Sequence, residues 1–115
     1  MNANKIIEKL SKQYPGKKII QIHEKDTWEI ICETELGFAI AVIDKSQPHY
    51  HKKLTERYEI LEGELTIVKD DKKYVLKKGD EFIIEPGTIH QAIGNETWVK
   101  VYSNPEWTQE DHILI

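Results

Sequence analysis

Three histidines and one glutamate are the residues of this chain whose types and spacing best suit chemistry. His49 and His51 stand one residue apart in residues 48–63, P-H-Y-H-K-K-L-T-E-R-Y-E-I-L-E-G, and Glu56 follows in the same stretch. His90 lies just beyond a Pro86-Gly87 turn. Neutral imidazole binds Zn, Fe, Ni, Cu or Co, and a carboxylate oxygen also admits Mn. On an extended backbone, residues two apart face the same side, roughly 6–7 Å from each other along the chain. Both imidazoles of the His49–His51 pair can therefore turn onto one divalent ion. Glu56 is close enough to return across a short turn. His90 would arrive from far along the chain, after a bend that Gly87 permits by tolerating positive φ. Against this, a His-x-His beside lysines is usually solvated, and one glutamate proves little among 20 acidic residues.

The elements that must position these groups are mostly strands. Residues 4–13 read as a short amphipathic helix: Ile6, Ile7 and Leu10 recur at three- and four-residue spacing, and Pro15-Gly16 ends the pattern. Thereafter the period is two. Residues 18–24, 28–33, 37–44, 57–61, 65–69, 73–76, 81–84, 90–93 and 98–102 each read as a strand. The breaks carry turn residues: Glu62-Gly63, Asp70-Asp71, Lys78-Gly79-Asp80, Pro86-Gly87 and Gly94-Asn95. Asp70-Asp71-Lys72 marks a hairpin. Short strands with tight turns, and no helices between them, predict an all-β antiparallel jelly-roll barrel behind a short N-terminal helix. The expected layout is one domain over residues 1–115: a helical segment at 1–16, the barrel at 17–102, and an irregular tail at 103–115 that packs over the barrel or a partner.

Bulk properties narrow the partners. A chain of 115 residues fits one domain with a real core, and 39% hydrophobic with 31% charged residues is the balance of a globular protein. No apolar run is long enough to span a bilayer, and residues 1–10 lack the apolar core of a secretion signal. A single cysteine, Cys32, excludes an internal disulfide and agrees with a cytoplasmic location. Net charge is −4, with lysines interleaved among acids, so no basic face suggests nucleic acid. A small molecule is the expected partner.

The spacing His49-x-His51, Glu56, Gly63 resembles the first signature motif of the cupin superfamily, and Gly79 with Pro86-Gly87 and His90 resembles the second. Where the family has glycine before the first histidine, proline in the second motif and asparagine after it, this chain has Ile43, Glu85 and Gly94. Those departures touch turns, not ligands. The resemblance implies a small β-barrel in which His49, His51, Glu56 and His90 bind Mn, Fe, Ni, Zn or a similar ion, and it implies a homodimer. The chain as a whole is similar to short proteins of the sugar-phosphate-isomerase branch.

Around the ligands, Tyr58 and Ile60 share the face of Glu56, while Arg57, Glu59 and Leu61 face away. Tyr58 is then a candidate catalytic hydrogen-bond donor, with a plain wall residue as the rival reading. Phe38, Ile40, Val42, Trp98 and Tyr102 are candidate cavity-lining residues, although both parities of those strands are apolar. His23 reads as an edge residue, His112 as packing in the tail, and Cys32 as a quiet core thiol. Three activities fit: an isomerase or lyase acting on a metal-chelating hydroxy-carbonyl or sugar-like substrate, a metal-dependent dioxygenase, and a small-ligand binding module without turnover. With Arg57 turned outward, an unphosphorylated substrate fits better than a phosphorylated one.

Overall fold

The computed structural model describes residues 1–115, the side chain of Gln109 excepted. The elements run in the order α1 (Ala3–Gln13), β1 (Lys18–Ile22), β2 (Trp28–Glu33), β3 (Ala39–Lys45), β4 (His49–Tyr50), β5 (Thr55–Glu62), β6 (Glu64–Lys69), β7 (Lys72–Lys77), β8 (Glu81–Ile84), β9 (His90–Asn104), a 3-10 turn (Gln109–Asp111) and β10 (Ile113–Leu114). Every strand pairing is antiparallel, and one curled sheet forms the jelly-roll barrel. No described helix is long and apolar enough to cross a membrane.

The apolarity of β3 on both faces has a simple cause. Its even positions, Ile40 and Val42, lie with Ile30 and Cys32 of β2 under Ile6 and Leu10 of α1. Its odd positions, Ala41 and Ile43, turn into the barrel with Tyr58, Ile60, Leu65, Ile67, Ala92 and Val99. A strand covered by a helix on one side and by the barrel core on the other loses the alternation that would reveal its inner face. The expected cavity lining is therefore corrected: Phe38, Ile40, Val42 and Trp98 pack on the helix side. Tyr102 also faces outward, under the Arg57 guanidinium at 3.9 Å. Cys32 is a buried free thiol beneath α1, as expected.

The hairpin at Asp70-Asp71 forms as read. Both residues take positive φ, 51° and 61°, between the closing pair Lys69 and Lys72. That is the conformation a two-residue turn needs to match the twist of its strands.

Strand β9 holds the two halves of the sheet together. Its C-terminal part pairs with β3 on one edge and β5 on the other; its N-terminal part pairs with β6 and, at His90, with β4. The sequence suggests two strands here, broken at Gly94-Asn95. Instead one strand runs through, bent where its partners change. A Cβ on Gly94 would stand 2.5 Å from Thr97 Oγ1 and 2.8 Å from the Ile43 carbonyl oxygen, so only glycine fits the bend. Gly94→Ala should destabilise the fold by about 1–3 kcal/mol through overpacking. Urea unfolding measures this, and an unchanged midpoint would contradict the close approach.

Candidate metal centre

His49 and His51 flank Tyr50 and both turn inward, each buried: 5% and 2% exposed. Strand β4 is pinned from two sides, by His90 of β9 across from His49 and by β10, where Ile113 faces Tyr50 and Leu114 faces His49. Glu56 comes inward from β5 and is 5% exposed; His90 is 1% exposed. Gly87, at φ 80°, donates its N–H to the His51 carbonyl at 2.6 Å and so ties the turn before His90 to the first histidine pair. One potential ligand atom from each of His49, His51, Glu56 and His90 lies within 4.8 Å of the others. The four residues singled out by spacing meet at one point.

The polarity of the rings is fixed by the backbone. Nδ1 of His49, His51 and His90 lies 2.8, 2.8 and 2.9 Å from the carbonyl oxygens of Gln47, Asp111 and Thr88. A carbonyl only accepts, so each Nδ1 carries the proton and donates it. In the neutral ring Nε2 then holds a lone pair. Nε2 of His51 and of His90 has no hydrogen-bond partner, although Glu56 Oε1 stands only 3.1 and 3.3 Å away. Lone pairs thus face a carboxylate oxygen in a buried space. That arrangement is unfavourable until a cation or a proton enters it. The donor set and the orphaned nitrogens fit a divalent transition metal, held by neutral imidazoles that each give their other N–H to a carbonyl.

Titration follows from the same contacts. Burial pushes the Glu56 carboxyl up, but hydrogen bonds from His51 and then His90 outweigh it whenever those rings carry a proton on Nε2, and then hold the group at about 2. Burial, then repulsion from His90, pulls His49 down to about 3, so this ring is neutral at ordinary pH. Burial also lowers His51, but Glu56 and Asp111 overcome it and raise the ring above its usual 6.5.

Asp111 is the supporting residue that the sequence does not reveal. Its carboxylate accepts the N–H groups of Lys52, Lys53 and Leu54 at 2.8 to 3.2 Å, while its own carbonyl takes the His51 proton. Desolvation works against the charge, yet these three backbone donors hold the carboxyl below its usual range. The tail is therefore not irregular packing. It forms a 3-10 turn and a short strand that fix the loop after His51.

The centre opens into a cavity of about 120 Å³. Its wall is largely apolar in area, with Ile20, Ile22, Ile31, Ala39, Ala41, Ile43 and Val101, and Glu29, Glu33 and Ser103 interrupt it. Tyr58 lines it, with its hydroxyl 3.4 Å from Glu56 Oε1. Burial, then the charges of Glu56 and Glu29, drives that phenol well above its usual value, so it acts as a donor and not as a base. His112, expected only to pack, also lines the cavity and stacks on His49 with ring centres 4.3 Å apart. Glu29, unnoticed in the sequence, projects from β2 into the same space. His23 lies elsewhere, exposed and stacked on Trp28 at 4.1 Å. Arg57 faces outward and pairs with Glu81, as its parity suggests.

The family model described as a cupin domain matches residues 38–102. This chain is a cupin. Among solved structures, the cupin is similar to Pac13 of Streptomyces in complex with uridine, at 10% identity over 84% of each chain with a TM-score of 0.68. It is similar to KdgF from Halomonas sp., at 20% identity over 82% of this chain and 81% of the other, with a TM-score of 0.55. A cupin-2 domain protein from Shewanella frigidimarina aligns at 20% identity over 92% of this chain and 94% of the other, with a TM-score of 0.57. At these identities the likeness is one of fold. No protein in the curated comparison matches the cupin.

Two outcomes follow for the centre. Metal and proton compete for His51, so zinc affinity should fall about tenfold per pH unit once pH drops below the raised His51 value. Chelator competition between pH 5 and 8 measures the slope, and a flat profile would contradict it. Asp111→Ala should weaken zinc binding about 10–100-fold by releasing the loop that orients His51. Unchanged affinity would show that the loop holds without it.

Proposed function

We propose that this cupin binds one divalent transition metal through His49, His51, Glu56 and His90 and is an enzyme of isomerase or lyase type. Its substrate on this reading is a small, uncharged hydroxy-carbonyl or sugar-like molecule. The observation that carries the reading is the buried carboxylate facing imidazole lone pairs at the base of an apolar cavity. A metal held there would supply Lewis acidity to a substrate oxygen.

The remaining residues define what can bind. Among the described residues, the cavity and the groove outside it carry no lysine or arginine, while Glu29 and Glu33 line the cavity and Glu33, Glu35 and Glu106 line the groove. A phosphate or other remote anion would meet these carboxylates, of which Glu35 alone is paired with a lysine, Lys17, and that favours a neutral ligand. Ile22, Ile31, Ala41 and Ile43 exclude water from the reacting face, and the Tyr58 hydroxyl can donate to a substrate oxygen beside Glu56. Pac13, described as a nucleoside dehydratase and seen with uridine, supports a sugar-like ligand in a barrel of this shape.

His51→Ala and Glu56→Ala should each reduce bound metal from about one per chain to under about a tenth, with the strand signature in circular dichroism intact, because the barrel is held by apolar packing and not by these polar side chains. Elemental analysis reads the outcome, and wild-type metal content in both variants would contradict the assignment. Metal-loaded wild type should convert uncharged hydroxy-ketones or aldoses in preference to their phosphates. Oxygen uptake by the iron-loaded protein with catechols or diketones would instead favour the dioxygenase reading.

A further inference from the structure

Glu29 occupies a place that no structural need explains. On the inner face of the sheet its cross-strand neighbours are Ile22 of β1 and Ile43 of β3, and Ile31 follows two residues on along β2. Its carboxylate lines the cavity and has no hydrogen bond or salt bridge to any described residue. An acid in an isoleucine wall weakens the core unless something in the cavity uses it. The β2–β3 register shifts between Trp28 and Glu29, the kind of irregularity that re-aims a side chain beside a functional site. Glu33, on the same strand, lines both this cavity and the outer groove, and from the other strands and the tail Glu56 and Tyr58 of β5 and the rings of His49, His51 and His112 share the cavity. Of these, Glu56, His49 and His51 are committed to the metal centre, His112 is stacked flat on His49, and the Tyr58 phenol holds its proton too tightly to act as a base.

We propose that Glu29 is the catalytic acid–base of this cupin, taking a proton from the carbon next to the substrate carbonyl and returning it. This rests on the hydroxy-carbonyl reading of the site. In the first half of the step the C–H bond breaks and an O–H bond forms on the Glu29 carboxylate. The C–H electron pair becomes a carbon–carbon double bond, and the carbonyl π pair moves onto oxygen. In the second half the hydroxyl on the deprotonated carbon passes its proton to the former carbonyl oxygen, its O–H pair becomes the new C=O bond, and the C=C pair takes the proton from Glu29 at the neighbouring carbon, which isomerises the substrate. Alternatively Glu29 gives the proton to an adjacent hydroxyl whose C–O bond breaks, and water leaves. Either way Glu29 ends as it began, and no oxidant or reductant is needed. Burial, and then the nearby charge of Glu56, raises the Glu29 carboxyl to about 7, where it can both accept and release a proton near neutral pH. A neutral substrate follows as well, since an anion would be repelled by the ionised base.

The test uses zinc-loaded protein in deuterium oxide with dihydroxyacetone, glyceraldehyde and xylose as probes, read by proton NMR for loss of the C–H signal beside the carbonyl. Wild type should exchange at least one probe, Glu29→Gln should exchange it about 100-fold more slowly or worse, and Glu29→Asp should recover part of the rate. Glu29→Gln should keep the full zinc content and melt no lower than wild type, because it removes an unpaired acid from an apolar wall. A second readout does not depend on turnover. With glutamate carbon-labelled at the carboxyl, the resonance missing from Glu29→Gln should titrate above the ordinary carboxylate range in the metal-free protein. Exchange by Glu29→Gln at the wild-type rate, or titration of that resonance near the usual 4.5, would overturn the role of Glu29 and leave the metal reading standing. Zinc-loaded wild type that exchanges none of the probes would overturn the hydroxy-carbonyl reading and this inference together.

Discussion

An imidazole that has given its Nδ1 proton to a backbone carbonyl has only a lone pair left on its other nitrogen. This chain makes that commitment three times, at His49, His51 and His90, and points two of the resulting lone pairs at the carboxylate of Glu56. Everything else about the centre follows from that convergence of acceptors. It needs a positive charge in the middle, and the burial of all four groups means that water cannot supply a cheap substitute. A proton shared through His51 is the poorer solution, because it satisfies one pair of atoms where a divalent ion satisfies four.

The fold is arranged to keep that convergence in place. Strand β9 delivers His90 and, further along, the wall residues Val101 and Ser103, so bending at Gly94 sets ligand and cavity relative to each other. The tail closes the circuit: β10 pairs with β4, and Asp111 gathers three successive N–H groups of the loop that follows His51. Three carbonyls and one carboxylate therefore hold the centre from outside, drawn from three segments of chain, with Asp111 supplying both its carbonyl and its carboxylate. The opposite wall of the cavity has another character. It is isoleucine-rich, covered on its outer side by α1, and broken by two acids of β2, Glu29 and Glu33.

The sequence shows the ligands clearly because side-chain identity and spacing are what a metal selects. It also shows the turn at Asp70-Asp71, where two residues suited to positive φ separate two alternating runs, and the outward face of Arg57, where alternation is clean. It hides the inner face of β3, because α1 buries the other face with equally apolar residues, so alternation offers Ile40 and Val42 as lining where Ala41 and Ile43 provide it. It hides Asp111, whose partners are backbone N–H groups without a signature of their own. His112 is hidden for a related reason: two strand residues suffice to carry it back to His49, too short a run for periodicity to register. Glu29 is legible in principle, as a charged residue beside Ile31 on the cavity side of β2, but only once that side is known.

The central claim is that three imidazole nitrogens and one carboxylate oxygen surround a single cation. X-ray absorption at the zinc edge of the loaded protein tests it most directly. The account predicts a shell of nitrogen and oxygen at about 2.0–2.1 Å with the outer-shell scattering of three imidazole rings. A shell with one ring or none, or with sulfur from Cys32, would contradict it.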